Sequence, residues 1–191
     1  MGAQEKSKHL SDYSWSELKE ISNDISENGT SSEYYDEFVG YAERGEYKVA
    51  EYGDGEHIAF RIVDILHDKL DVSGTKKAGL TFMACNSINT PYQWNSTTNN
   101  LNWRDSSLRA TLQSDIYNGL ESDLKNNIAN IMKDSIVGRR SGHFDQTLEI
   151  NQESLYLPSA AELGYNSGGY LPTNEEIPFT YKQNDCYQDT G

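Results

Sequence analysis

The sequence predicts an α+β fold with short antiparallel strands, and three observations carry that expectation. Residues 1–45 space their apolar positions at helical period. From Glu46 the period changes to two, around a Gly53-Asp54-Gly55 turn. Beyond residue 79 strand-like and helix-like stretches mix, with no internal repeat or low-complexity tract. The 191 residues are therefore divided into a helical appendage over 1–45 and a larger α+β domain over 46–191.

The elements follow in order. Ser14 and Glu17 stand at capping-box spacing, and Trp15, Leu18, Ile21 and Ile25 share one helical face. Asn28-Gly29 supplies a left-handed stop. A second helix is expected over 32–44, with Tyr35, Phe38 and Tyr41 or Ala42 inward and Gly45 at its end. Two helices this short bury too little to fold alone, so they are expected to clip onto the larger body. Tyr47, Val49 and Glu51 alternate as a strand, and residues 58–66 return as its partner. After a polar link, residues 79–85 read as a buried strand. Residues 86–102 form a long Asn-, Ser- and Thr-rich loop, and a loop of that length is expected to be functional or docked by its aromatics, Tyr92 and Trp94. Asp105 or Ser106 begins a third helix running to about residue 117, with Leu108, Leu112 and Ile116 as its stripe. A fourth helix is expected over 122–132, on Leu124, Ile128 and Ile131. Residues 138–149 read as a polar excursion, 155–157 as a short strand and 159–163 as a turn of helix. From Gly164 the chain is Gly-, Asn- and Tyr-rich without periodicity.

Composition narrows the partners. Sixteen Lys and Arg oppose thirty Asp and Glu, a formal net charge of −14, and the mean hydropathy is −0.76. A chain so acidic lacks the basic face that binds a phosphate backbone, so neither nucleic acid nor an anionic membrane is an expected partner. No window reaches the length of a membrane span, and the N-terminus carries no apolar signal region. Thirteen Tyr and three Trp better suit contacts with sugars or proteins. Two cysteines make a weak disulfide framework: Cys85 is expected as a buried core thiol, and Cys186 lies in a polar tail.

Few constellations suggest chemistry. Asp64, His67, Asp68 and Asp71 could gather oxygen ligands for a hard cation, but they lack the loop of an EF-hand and read first as a solvated turn. His67 beside Asp68 has general-base chemistry without a local nucleophile. Arg109 stands one helical turn from Asp105, which predicts a surface ion pair or a brace for the 86–102 loop. Trp103 is expected as a core anchor, and Arg139-Arg140 as a solvated basic pair. Neither a catalytic residue nor a metal or cofactor is expected from these patterns.

His67-Asp68-Lys69-Leu70, Gly74, residues 77–82, the run from Trp103 to Arg109, and residues 155–162 together resemble a domain family of unknown function found in surface and prophage proteins of gut bacteria. Trp15-Ser16-Glu17-Leu18 matches a helix that often precedes it. Residues 155–162 are also similar to a segment of formylglycine-generating-enzyme-like proteins, which implies a C-type-lectin-like mixed fold. That family continues into closing strands that this sequence is expected to lack, so the resemblance implies that another chain or a second copy supplies them, or that the fold is incomplete or differently completed.

On this basis the expected function is a non-enzymatic ligand-binding or adhesion module of a bacterial surface or virion protein. Its partner would be a glycan or a protein, held by Tyr92, Trp94, Tyr165 and Tyr170. The rivals are a relative of the formylglycine-generating enzymes and a structural assembly subunit.

Overall fold

Ser14 and Glu17 form the predicted capping box: the Ser14 hydroxyl accepts the Glu17 amide at 3.1 Å, and the Glu17 carboxylate accepts the Ser14 amide at 2.6 Å. This start fixes α1, Trp15–Asn28, which ends at Gly29 with φ +59°. The computed structural model describes residues 8–96, 103–140, 143–159, 161–164 and 178–181, with side chains left out for 136–140 and 143–148. Helix α2, Tyr35–Glu43, buries Phe38, Tyr41 and Ala42. Strands β1 (Tyr47–Tyr52), β2 (Glu56–Ile65) and β3 (Leu80–Ala84) form an antiparallel sheet in the order β1-β2-β3.

One apolar cluster unites these elements. Leu10, Trp15, Leu18, Ile21, Ile25 and Phe38 pack with Ala50, Ile58, Ile62, Leu80, Leu120 and Leu124. Burying such side chains stabilises by about 1.5–3 kcal/mol each, so residues on both sides of position 45 share one core. Polar contacts reinforce the join, since the Trp15 indole donates to Glu121 at 2.7 Å.

The centre of β2 carries a bulge. Ile62 faces Phe82 while Asp64 faces Thr81, so β2 has one residue more than β3 there. A bulge breaks strict alternation, and Arg61, Ile62, Val63, Asp64 and Ile65 are all buried. Leu66 then adopts φ +58°, which no other non-glycine among the described residues does. Such a backbone is costly for a branched side chain, and it turns the chain so that His67 and Asp68 follow inward.

The second half departs from expectation in several places. Helix α3, Ser107–Thr111, is capped by the Ser106 hydroxyl and continues through a π turn, Leu112–Ile116, and a last turn, Tyr117–Gly119. Of its predicted stripe only Ile116 is buried; Leu108 and Leu112 are half-exposed. Helix α4 is Ser122–Asn127 and stops five residues before the predicted end. Ile131 instead opens β4, Ile131–Arg140, which pairs with β5, His143–Glu153. The polar excursion over 138–149 is thus part of a β-hairpin, because ladder hydrogen bonds satisfy polar strands as well as apolar ones. Residues 155–157 are irregular rather than a strand, while the Leu163 amide donates to the Ser159 carbonyl (3.1 Å) in the predicted helical turn. Met132 of β4 donates to the Lys69 carbonyl at 2.7 Å, tying the hairpin to the link after β2.

Candidate functional site

The described part of the loop after β3, residues 86–96, is held near both of its ends. At its start the Asn86 side chain accepts the Ala59 amide (2.8 Å) and donates to the His57 carbonyl (2.9 Å), and Asn89 donates to Glu56 (3.0 Å). At the other end the Leu108 amide donates to the Trp94 carbonyl (3.1 Å), and the Ser107 amide donates to the Asn95 side chain (2.9 Å). These two donors belong to the first turn of α3, whose amides have no partner within the helix. Trp94 is 44% exposed and lies 5.9 Å, ring to ring, from Trp103. Tyr92 is 37% exposed. Burial and then a hydrogen bond with Tyr92 push the Tyr52 hydroxyl up to about 12. Tyr165 and Tyr170 lie outside the described residues, as does Cys186.

Beneath this surface sits a carboxylate that the sequence did not mark. Glu153, at the end of β5, is fully buried. Its Oε1 accepts Arg109 Nε at 2.6 Å and the Trp103 indole N–H at 3.2 Å, and its Oε2 accepts Gln113 Nε2 at 2.8 Å. Three donors converge from the Trp103 turn and α3, so the buried charge is compensated. This corrects two expectations. Arg109 pairs with Glu153, while Asp105 pairs with Arg104; the loop itself is braced by Ser107, Leu108 and Trp103. Trp103 is half-buried rather than a core anchor, because its indole spans the gap between Trp94 and Glu153.

A second buried network gathers the acidic residues after β2. His67 Nδ1 lies 3.0 Å from Asp64 Oδ2, and Nε2 lies 3.2 Å from Glu162 Oε1. The Lys133 ammonium donates to the same Glu162 oxygen. Asp68 accepts Thr81 Oγ1 at 2.7 Å and Tyr156 Oη at 3.0 Å. Burial acts to lower the His67 pKa, but the bonds to Asp64 and Glu162 and the field of Asp68 outweigh it and push it up to about 9. Burial likewise acts to raise Asp64 and Glu162. For Asp64 the His67 bond outweighs it, and for Glu162 His67 and Lys133 do, so both lie below the usual range. Glu162 is seated by its own turn, where Ser159 and Glu162 exchange capping bonds of 2.8 and 3.2 Å.

Oxygen and nitrogen atoms of His67, Asp68 and Glu162 come within 4.8 Å of one another, the closest approach to a metal cluster among the described residues. Its chemistry suits a salt network better. Both imidazole nitrogens face carboxylates, and Lys133 already supplies a cation to Glu162. Asp71 stands apart, half-buried, holding Ser73, Thr75 and Lys76 in a turn. The Ser73 hydroxyl, foremost among these partners, lowers the Asp71 carboxyl to about 2. Cys85 is half-buried at the end of β3 rather than in the core, since its amide continues the ladder to the Ala59 carbonyl (2.7 Å) where the sheet edge opens.

Glu153, Lys133, Tyr156 and Glu162 were therefore missed as a group. For Glu162 a signal existed in the Ser159–Glu162 capping spacing. For Glu153, in a polar strand end, none did.

No curated protein and no solved structure matches the chain. A family model matches residues 78–188, more than half of the chain, and takes in the Trp94 loop, Glu153, Lys133 and Glu162. The chain belongs to that family, the domain of unknown function DUF6273.

Proposed function

We propose that the chain is a non-enzymatic ligand-binding or adhesion module that recognises a glycan or a protein. The carrying observation is Trp94: a large aromatic, 44% exposed, whose own backbone is pinned to α3. Leaving an indole in water forfeits burial, while fixing it beforehand removes the ordering cost that binding would otherwise incur. Tryptophan held in this way is the residue type that dominates binding hot spots, and Tyr92, two residues earlier, adds exposed ring area. Short antiparallel strands, flanking helices and a long docked loop are in keeping with a C-type-lectin-like module from a bacterial surface or prophage tail protein.

A glycan microarray, run beside capture of surface proteins on the immobilised chain, tests this reading. Saturable binding to a restricted set of glycans or to one protein, without turnover, is the expected result. Oxygen-dependent modification of a cysteine peptide would instead favour an enzyme of the formylglycine-generating type and overturn the proposal.

A further inference from the structure

A cavity of about 190 Å³ lies between α1, α4 and the β2–β3 face, walled by Trp15, Phe60, Phe82 and Leu124. An apolar hole of about 150 Å³ suffices to hold one benzene ring, so this cavity has room for a ring with a short side chain. Its wall is not uniformly apolar: Asp68 also lines it, with Thr81 and Tyr156, whose hydroxyls both donate to the Asp68 carboxylate.

Asp68 is only 7% exposed. Its carboxylate receives two hydroxyls, whereas a carboxylate has about four acceptor positions. No ion pair holds Asp68 among the described residues; the nearby pairs join His67 to Asp64 and Glu162, and Lys133 to Glu162. The protonated His67 feels the field of Asp68 but gives its two ring nitrogens to Asp64 and Glu162, so the acceptor positions of Asp68 beyond the two hydroxyls stay open toward the cavity it lines. Lys19, the single basic lining residue among the described residues, is turned to the Asn126 carbonyl at 3.3 Å. An apolar chamber with a buried anion at its wall selects a ligand of matching make-up.

We propose that this cavity binds a small primary amine with an aromatic body, its ammonium on Asp68 and its ring against Trp15, Phe60 and Phe82. The site is separate from Trp94 and does not depend on the glycan or protein reading.

Calorimetric titration of the full chain with 2-phenylethylamine, and with neutral ethylbenzene as the control, tests it. The amine is expected to bind the wild-type chain and to bind Asp68→Asn at least about tenfold more weakly, the usual worth of a charge-assisted bond. Ethylbenzene should bind both alike. Should Asp68→Asn fail to fold, Leu124→Trp fills the cavity from α4; it should abolish amine binding with the circular dichroism spectrum retained. Trp94→Ala should leave amine affinity unchanged. No binding of the amine to the folded wild-type chain, equal affinity for Asp68→Asn, or retained binding in Leu124→Trp would overturn the proposal.

Discussion

Arg109 Nε donates to Glu153 Oε1 at 2.6 Å across forty-four positions of chain, and the carboxylate it meets is wholly buried. The bond joins the first turn of α3 to the end of β5 and so couples the exposed aromatic loop to the hairpin. A charge so placed is worth keeping only while its donors remain, because removing one partner strands the other.

Glu153→Ala is expected to destabilise the fold by about 3 kcal/mol, the lower end for a broken buried pair, since Arg109 remains a quarter exposed and regains water. Glu153→Gln, which keeps an acceptor and the volume, should cost less. Urea denaturation followed by circular dichroism measures both, and equal stability of Glu153→Ala and wild type would contradict the role given to this carboxylate.

His67 links stability to pH. Its folded pKa, about 9, lies above its ordinary value of 6.5, so its contribution is complete below pH 6.5 and fades as the pH rises toward 9. The difference corresponds to about 3 kcal/mol at most. Asp64 and Glu162 are lowered, so theirs is lost in acid, and the optimum falls between about pH 5 and 6.5. Stability measured against pH should decline on the alkaline side in the wild-type chain and lose that decline in His67→Gln.

At Gly79 the chain entering β3 lies tight against Ser22 of α1. A Cβ there would stand 2.2 Å from the Ser22 carbonyl oxygen, a backbone atom that cannot yield cheaply. Gly79→Ala should therefore cost about 1–3 kcal/mol or more. Gly40, in α2, meets only the Arg44 guanidinium at 3.0 Å, the end of a flexible chain. Gly40→Ala should be neutral or stabilising by about 0.5–1 kcal/mol through helix propensity. Thermal unfolding of the two variants separates the cases; similar losses would contradict the packing described.

The first half of this architecture was legible because local signals and the core agree there. The Ser14–Glu17 box, the stripe from Trp15 to Ile25 and the Gly53-Asp54-Gly55 turn each act within a few residues. The hairpin of β4 and β5 was not, because Lys133, Asp134, Asn151 and Gln152 carry no two-period apolar pattern, and Ile128 with Ile131 extends the stripe of α4 by coincidence. Trp94 was legible as an exposed aromatic in a long loop. The partners of Arg109 and His67 were not, since Glu153 and Glu162 arrive from distant chain positions that only the fold brings together.

Trp94 is proposed as an exposed, pre-fixed contact for a glycan or protein. Titrating the partner identified by array or capture against wild type and Trp94→Ala is its most direct measurement. A loss of about 2 kcal/mol or more in binding, roughly thirtyfold in affinity, with an unchanged unfolding midpoint, is the predicted result. Unchanged affinity in Trp94→Ala would contradict the account.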